Sequence, residues 1–273
     1  KMLQVIFFSI LFGVAMIFIP EEKVKPVKVL INSLNDVVLK IIDIIMKTAP
    51  YGVFALIAAL MVDVAGSHPK DTLSLFAALG LYAFTVILGL LILIFVIYPI
   101  FLKLFTKVKY SKFMKAIYPV QLLAFSTSSS AATLPFTMET AEEKLGISND
   151  TASFVLPLGA TINMDGTSLY QAVAAIFLAQ VYGMHLGLAQ QLTIIVTATL
   201  ASIGSAAVPG AGIVMLVIVL TAVGIPTEGI ALIFAVDRPL DMLRTAVNVT
   251  GDTTIASIIA SGENEIDLDV ANR

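Results

Sequence analysis

The sequence lacks cysteine and tryptophan, and only two of its 273 residues are histidine. The absence of cysteine excludes disulfides, thiol catalysis and cysteine-ligated metal sites. His68 and His185 are far apart in predicted loops, so a two-histidine metal centre is not expected. Charged residues make up 13% of the chain, about half the share of a soluble domain. A net charge of −3 leaves no basic surface that would indicate nucleic-acid binding.

What the chain has instead is apolar sequence: 58% of its residues are hydrophobic and the mean hydropathy is +0.98. Residues 2–20, 72–102 and 166–227 contain no Asp, Glu, Lys or Arg. A run of about 20 apolar residues is long enough for a helix to cross a bilayer. The sequence therefore predicts an all-α polytopic membrane protein, with helices at about 2–19, 30–62, 72–106, 152–182 and 228–260.

Two apolar segments do not fit simple membrane-spanning helices. Residues 116–138 are interrupted by the serine-rich stretch 126–135, and residues 188–223 by the glycine-containing stretch 204–212. The arms on either side have about 10–16 residues, mostly too few to cross ~30 Å at about 1.5 Å per residue. We therefore predict two helical hairpins, each entering and leaving the membrane on the same side.

The distribution of lysine supports this topology. Same-side entry of the first hairpin places its flanking lysines in the cytoplasm and leaves Lys70 as the only loop lysine outside, in keeping with the positive-inside rule. The two hairpins then enter from opposite faces and form an inverted repeat. Ser130-Ala131-Ala132 and Ser205-Ala206-Ala207 echo this repeat in the sequence. Such repeats place the substrate site near the bilayer midplane.

The polar residues of the last predicted helix share one face. At about 100° per residue, this polar stripe comprises Asp237, Asp241, Arg244, Asn248 and Asp252. Charges facing lipid would cost roughly 2.5–3.5 kcal/mol each, so the stripe is expected to face protein, water, ions or a ligand. The forked guanidinium of Arg244 suits a carboxylate, and an internal ion pair with Asp241 is equally open. Asp237 and Arg238 receive no firm role.

A second polar motif interrupts the predicted helix 152–182. Asn163 and Asp165 follow Pro157 and lie between glycines, and their oxygen atoms are the hard ligands that alkali cations prefer. Structural alternatives are open for each motif. Asp165 would then be a buried, hydrogen-bonded carboxylate, the serines at 128–130 a packing surface of small residues, and residues 208–212 an ordinary turn.

With these motifs, the chain resembles the dicarboxylate/amino acid:cation symporters, the family of the glutamate transporters. The resemblance runs from residue 1 to about 262. It rests on the serine-rich tip before Thr133-Leu134-Pro135, on Asn163-Met164-Asp165-Gly166-Thr167, on Val208-Pro209-Gly210-Ala211-Gly212, and on Asp241-Met242-Leu243-Arg244-Thr245 with Asn248 and Gly251-Asp252. It implies a glutamate-transporter fold with inverted repeats and two re-entrant helical hairpins, a homotrimer, and a transport domain that moves against a scaffold. This chain would be the C-terminal part of that fold, without its first helices.

The resemblance divides the chain into five parts. These are scaffold-type helices at 1–62, a transmembrane helix at 72–106, the first re-entrant hairpin with a broken helix at 113–183, the second re-entrant hairpin with the polar-striped helix at 187–262, and a cytoplasmic tail at 263–273. We expect the acidic tail to be a solvated end. The implied location is the cell membrane (inner or plasma membrane), with multiple passes and a cytoplasmic C-terminus.

By resemblance, Arg244 would bind the side-chain carboxylate of the substrate and Asp241 its α-amino group. The remaining substrate contacts would come from Ser129, Ser130, Thr167, Val208, Thr245 and Asn248. One sodium ion would lie among Gly159, Asn163, Asn248 and Asp252, a second among carbonyls of Thr161, Ser202, Ile203 and Ser205, and a third at Asp165. Sodium ions act as coupling ions in this scheme, and no other cofactor is implied.

These features favour sodium-coupled import of aspartate or glutamate, because Asp241 requires a cationic partner and Arg244 an acidic one. The alternatives are proton- or sodium-coupled C4-dicarboxylate symport, a passive anion channel at the same site, and, remotely, an intramembrane aspartyl protease using Asp165 and Asp252. The protease is disfavoured because Val249 stands where its motif needs glycine. Archaeal members of the family carry an arginine where this chain has Ser128, and animal members carry one where it has Met242. Because this chain lacks both, the resemblance leaves potassium countertransport open.

Overall fold

A computed structural model describes residues 2–65 and 69–272 of the chain, and His68 lies outside these ranges. Every regular element within them is helical, apart from one isolated bridge between Ile147 and Ile266. The all-α prediction is therefore confirmed. The chain divides into two units, Lys1–Val53 and Phe54–Arg273. The first unit contains α1 (Met2–Ile17) and most of α2 (Glu21–Ala65).

Helix α2 begins at Glu21, well before the predicted start at residue 30. Its first turn carries Glu21 and Glu22, and carboxylates are stabilised there by the partial positive charge of a helix N-terminus. The lysine-containing segment that follows is therefore part of the helix rather than a linker.

The second unit is built from a series of helices around one long C-terminal helix. They are α3 (Pro69–Ile92), α4 (Tyr98–Phe105), α5 (Tyr110–Thr127), α6 (Ser130–Leu145), α7 (Asn149–Ile162), α8 (Asp165–Val181), α9 (Leu188–Ile203), α10 (Ala211–Val223), α11 (Ile230–Gly262) and α12 (Leu268–Ala271). Among the described residues, only the stretch Phe76–Phe105 is long and apolar enough by itself to cross a bilayer, and α9 and α10 are shorter apolar helices.

A π-helical turn, Leu93–Ile97, joins α3 to α4 without a break. Its cause is Pro99, which has no N–H to offer the carbonyls one turn earlier. The carbonyl of Ile94 instead accepts a hydrogen bond of 2.5 Å from the hydroxyl of Tyr110. The turn therefore ties this apolar stretch to the start of α5.

Helix–turn–helix pairs lie where the two hairpins were predicted. Helices α5 and α6 pack on each other and are joined by Ser128, in the left-handed region at φ 52°, and Ser129. The Ser129 hydroxyl accepts a hydrogen bond from the Ala132 N–H and so caps α6. Helices α9 and α10 also pack together, and the turn between them ends at Gly210, with φ 76°. We call the two turns the first tip and the second tip.

The predicted helix 152–182 is broken into α7 and α8. The break lies at Asn163 and Met164, whose backbone angles are not helical. Ser148 caps the start of α7 by accepting a hydrogen bond from the Thr151 N–H at 3.2 Å. The two halves leave the Asn163 and Asp165 side chains at the break, next to α11.

Helix α11 passes through two apolar clusters. One cluster lies among α3, α8, α9 and α10 and receives Ile233, Leu240 and Val247 from α11. The other lies among α4, α5, α6 and α7 and receives Ala256 and Ala260. The polar stripe runs between these contacts and is buried along its whole length. It is therefore enclosed by protein, as the cost of exposing charge to lipid demands.

The C-terminal segment 263–272 is docked through its backbone, although its acidic residues Glu263, Asp267 and Asp269 are exposed, as expected of a solvated end. Its backbone bonds to the α6–α7 turn, from Ser148 N to Glu265 O at 2.9 Å and from Asp267 N to Gly146 O at 2.7 Å. The Glu265 carboxylate accepts hydrogen bonds from the hydroxyls of Ser148, at 2.6 Å, and Thr151. The sequence showed only the acidic composition, whereas docking depends on backbone groups that a turn elsewhere in the chain leaves free.

Gly146 is the tightest point of this docking. It has φ +65°, and a Cβ added there would lie 2.5 Å from the backbone oxygen of Asp267. We expect Gly146→Ala to lower the free energy of unfolding by roughly 1 kcal/mol because of the left-handed backbone. The clash with Asp267 should lower it by about 1–3 kcal/mol more. Gly183→Ala is the matched control, because Gly183 has the same φ and no atom within 4 Å. Thermal unfolding in detergent measures both, and equal losses would contradict the close contact.

The docked segment should also respond to pH. The hydroxyls of Ser148 and then Thr151 hold the pKa of Glu265 below its ordinary value of 4.5. A lowered pKa stabilises docking above pH 4.5, and this contribution is lost as pH falls through the lowered pKa. A spin label on Asp269→Cys, in a chain without other cysteines, should become more mobile below pH 4.5. Glu265→Gln should remove that transition, and an unchanged transition would contradict the assignment.

Candidate functional site

Arg244 occupies the centre of α11 with only 1% of its surface exposed. Its Nη1 lies 3.2 Å from Asp237 Oδ1 and its Nη2 lies 2.6 Å from Asp241 Oδ1. The guanidinium also stacks 3.8 Å from the centroid of the Tyr170 ring, a favourable arrangement for a cation. The ion pair with Asp241 was predicted from the i−3 spacing. The pair with Asp237 gives that residue the role it lacked.

The second tip lies directly on this ion-pair network. Gly210 N donates to Asp241 Oδ2 at 3.0 Å, so one carboxylate binds both the arginine and the tip. A Cβ on Gly212 would lie 3.1 Å from Arg244 Nη2, which explains why a residue without a side chain stands there. The Gly212 carbonyl accepts a hydrogen bond of 3.0 Å from Gln171 Nε2.

The two tips touch each other above the network. The Ser129 hydroxyl donates to the Ala207 carbonyl at 2.7 Å. Beneath this contact lies a cavity of about 20 Å³, roughly the space of one water molecule. Its lining combines both tips with α8 and α11 and comprises Ser128, Ser130, Met164, Thr167, Ser205, Ala206, Ala207, Val208, Ala211, Gly212, Asp241, Thr245 and Asn248. We call it the tip cavity.

Seven of the eight predicted substrate-binding residues are gathered here. Six of them belong to the lining: Ser130, Thr167, Val208, Asp241, Thr245 and Asn248. Arg244 lies behind Asp241, and Ser129 makes the contact between the tips. Ser129 is the exception: its hydroxyl bonds to the second tip and does not line the tip cavity.

Asn248 links α11 to the start of α8. Its Oδ1 accepts from Gly166 N at 2.9 Å and its Nδ2 donates to Thr167 Oγ1 at 3.1 Å. A Cβ on Gly166 would lie 2.9 Å from the same Oδ1. The motif Asn163-Met164-Asp165-Gly166-Thr167 is thus held against α11 through a glycine.

The residues of the first predicted sodium site meet at the break between α7 and α8. Asn163 Nδ2 donates to Asp252 Oδ1 at 3.0 Å, and a Cβ on Gly159 would lie 2.8 Å from that oxygen. The Gly159 carbonyl accepts from Asn163 N at 2.8 Å. Residues that carry carboxylate, amide and carbonyl oxygens, the kinds of ligand that suit a hard cation, therefore meet at this break.

Asp165 is held by a residue that the sequence did not single out. The Tyr98 hydroxyl donates to Asp165 Oδ2 and lies 3.3 Å from the carbonyl of Val247. Gly251 allows this approach, since a Cβ there would lie 2.9 Å from the Tyr98 oxygen. Asp165 and Asn163 also line a cavity of about 430 Å³ between α8 and α9.

The residues of the second predicted sodium site do not share one cavity. Ser202 and Ile203 line the larger cavity beside Asp165, whereas Ser205 lines the tip cavity. The Thr161 hydroxyl donates to the Leu158 carbonyl at 2.8 Å. Over residues 2–65 and 69–272, no group of three His, Asp or Glu side chains could hold a metal ion. Any cation site in this region therefore depends on carbonyl and amide oxygens as well.

Three residues of the site were missed in the sequence: Tyr98, Tyr170 and Gln171. Tyr170 and Gln171 follow Thr167 by three and four positions, so helical spacing alone places them on its face. A glutamine in a segment without charged residues was a usable signal. Tyr98 offered none, because a tyrosine in an apolar run is most simply a core residue.

Comparison with known proteins matches the sodium:dicarboxylate symporter family over residues 1–261. The chain belongs to this family. It is 40% identical to an excitatory amino acid transporter of Caenorhabditis elegans over 100% of this chain and 53% of the relative. It is 44% identical to mouse excitatory amino acid transporter 2 over 95% of this chain and 44% of the relative. With human excitatory amino acid transporter 1 the identity is 43%, over 94% of this chain and 46% of the relative.

Family membership makes this a multi-pass membrane protein of a transporter family rather than an enzyme, and the protease hypothesis is set aside. The chain spans about half the length of the curated relatives it matches.

Removal of the Tyr98 hydroxyl tests the structural importance of the Asp165 contact. Tyr98→Phe removes the donor to Asp165 Oδ2 and leaves this buried carboxylate with the Gly166 N–H at its Oδ1, so we expect the free energy of unfolding to fall by about 1–3 kcal/mol. Tyr118→Phe is the control, because Tyr118 is 58% exposed and its substitution should change stability by less than about 0.5 kcal/mol. Thermal unfolding of both variants in detergent decides the matter. Equal stability of the two would show that the hydroxyl does not hold Asp165.

Proposed function

We propose that the chain carries the substrate and cation sites of a secondary active symporter that imports aspartate or glutamate with sodium. The observation that carries the proposal is the buried network of Arg244, Asp237 and Asp241 beneath the two touching tips. The relatives named excitatory amino acid transporters support the same substrate class.

The chemistry of the network favours an acidic amino acid. A side-chain carboxylate would replace a carboxylate partner of Arg244, and the α-ammonium group would replace Arg244 as the partner of Asp241. Each buried charge would thus exchange one partner for another and would not become unpaired. Removing one partner of a buried ion pair costs about 3–5 kcal/mol. Thr245, Asn248 and Thr167 would supply neutral hydrogen bonds around the ligand.

A C4-dicarboxylate coupled to protons or sodium is the second candidate, favoured by the family's description. One carboxylate would bind Arg244 equally well. The other would lie near Asp241, where like charges repel. The acidic amino acid therefore gives both Arg244 and Asp241 a partner of opposite charge, whereas the dicarboxylate gives one only to Arg244.

Sodium is the coupling ion that we propose, and the Asn163–Asp252 region is its first site. The contacts among Gly159, Asn163 and Asp252 support this proposal, and so does Asn248, which lines the tip cavity and lies one helical turn from Asp252. Asp165 is proposed for another sodium ion. The set Thr161, Ser202, Ile203 and Ser205 would require the second tip to move before its carbonyls could act together.

We further propose that the second tip is the gate. A cavity of about 20 Å³ has no room for an amino acid, so entry would break the bond from Gly210 to Asp241 and lift this tip. The hairpins α5–α6 and α9–α10 would be re-entrant and related as an inverted repeat, because their arms are short for a bilayer of ~30 Å. The unit carrying them would move as the transport domain of an elevator mechanism.

The proposed assembly and location follow the family resemblance. Residues 1–62 would belong to a scaffold, residues 72–106 would span the membrane, and 113–183 and 187–262 would form the two hairpin units. The segment 263–273 would lie on the cytoplasmic side, where the lysines are concentrated. The protein would be a homotrimer in the inner or plasma membrane.

Calorimetric binding of aspartate, glutamate and succinate, with and without sodium, tests the substrate and the ion together. We expect both amino acids to bind in sodium and succinate to bind at least about tenfold more weakly, because its second carboxylate faces Asp241. Equal binding of succinate would favour the dicarboxylate symporter. Binding that is independent of sodium would overturn sodium coupling.

Arg244→Ala should abolish this binding, since it removes the partner of the substrate carboxylate. Arg238→Ala is the matched control, because the Arg238 side chain is 45% exposed and lies 3.7 Å from the same Asp241. Retained amino-acid binding in a folded Arg244→Ala protein would refute the assignment.

A further inference from the structure

Another cavity, which shares no lining residue with the tip cavity, lies beside the docked C-terminal segment. It has a volume of about 300 Å³ and is lined by Lys112, Lys115, Ala116, Glu143, Lys144, Val270 and Ala271. Its wall combines the first turns of α5, the last turn of α6 and the short helix α12. We call it the lysine pocket.

The lysine pocket carries excess positive charge. Lys115 and Lys144 by themselves outnumber the one glutamate of the lining, Glu143, and Lys112, which has an interaction of its own, is left out of this balance. Among the described residues, neither Lys115 nor Lys144 has a carboxylate oxygen within ion-pair distance. Ammonium groups gathered around a concave surface bind phosphate as point charges. The pocket therefore offers a site for a phosphate group.

The docked segment supplies the apolar wall that makes this a pocket rather than a flat basic patch. Ala271 is 2% exposed, and Lys109 N donates to Asn272 Oδ1 at 2.9 Å, which fixes the end of the segment beside α5. The pocket therefore depends on the same docking that Gly146 and Glu265 make possible.

The surface beyond the pocket is apolar. Helical spacing places Lys115, Tyr118, Leu122 and Phe125 on one side of α5, and the last three are 58%, 49% and 37% exposed. Charge at one end of an exposed apolar stripe matches a molecule with an anionic head and hydrocarbon chains. Tyrosine between the two is typical of a membrane interface. This arrangement favours a lipid over a soluble phosphate.

We propose that the lysine pocket binds the phosphate headgroup of an anionic phospholipid, whose chains lie along the apolar side of α5. Basic pockets between helices on the cytoplasmic side are suited to such headgroups. The site is separate from the tip cavity, and its occupation does not require the transported solute.

Native mass spectrometry of the 273-residue chain in neutral detergent tests the proposal with added phosphatidylglycerol or phosphatidylcholine. Phosphatidylglycerol should bind more tightly. The double variant Lys115→Gln/Lys144→Gln should weaken that binding about thirtyfold, the equivalent of about 1 kcal/mol for each lysine. The control Lys25→Gln/Lys28→Gln makes the same charge change at two lysines that do not line the pocket, and it should change binding by less than about twofold.

Glu143→Gln provides a gain of function, because it removes the one negative charge of the lining. Phosphatidylglycerol binding should then tighten about fivefold, a result that a misfolded variant cannot mimic. The site would be overturned if both double-lysine variants weakened phosphatidylglycerol binding equally. It would also be overturned if Lys115→Gln/Lys144→Gln left that binding unchanged. Displacement of phosphatidylglycerol by millimolar inorganic phosphate would overturn the lipid as its source while keeping the phosphate site.

Discussion

The burial of Arg244 is the constraint on which the rest of the second unit depends. A guanidinium with 1% exposure has lost its hydration, and it is stable only if carboxylates and an aromatic face replace the water. Asp237, Asp241 and Tyr170 do so. Two carboxylates face Arg244, and two further groups offset their charge at Asp241: the half-exposed Arg238, 3.7 Å away, and the Gly210 N–H. The position of the second tip is therefore part of the electrostatic balance of α11.

Close approach of backbone to polar side chains is the second consequence. Gly159, Gly166 and Gly251 each lie where an added Cβ would come within 2.9 Å of an oxygen atom of Asp252, Asn248 or Tyr98. Because these glycines have no side chains, α7 and α8 can pack close enough to α11, and α11 close enough to Tyr98 of α4, for these polar side chains to touch the backbone. Unwound backbone at Asn163 is tolerated in a membrane protein because it is half-buried in protein and lines a cavity instead of facing lipid. The broken helix and the glycines therefore act together: both bring backbone close to buried polar side chains.

Local patterns in the sequence were enough to predict the helical class, the two interrupted segments and the polar stripe, whereas the assignment of Ser130, Thr167, Val208 and Thr245 to the site came from the family resemblance. Spacing along one helix is a local property, so the stripe from Asp237 to Asp252 could be seen directly. The contact of Tyr98 with Asp165 could not, because 67 positions separate the two residues and nothing local distinguishes this tyrosine. The docked segment was missed for a similar reason: its partners are the backbone groups of Gly146 and Ser148, which have no signature in composition.

The sharing of residues between contacts gives the site a built-in coupling. Asp241 accepts from both Gly210 and Arg244. Under the proposed function, a substrate ammonium group bound to Asp241 would therefore compete with the Gly210 N–H, and lifting of the second tip would make Asp241 more available. Coupling of this kind is reciprocal by necessity. Asn248 stands one helical turn from both Arg244 and Asp252 and binds the start of α8. A cation that reorients Asn248 or Asp252 would change the position of Arg244 directly, because the three residues lie on successive turns of α11.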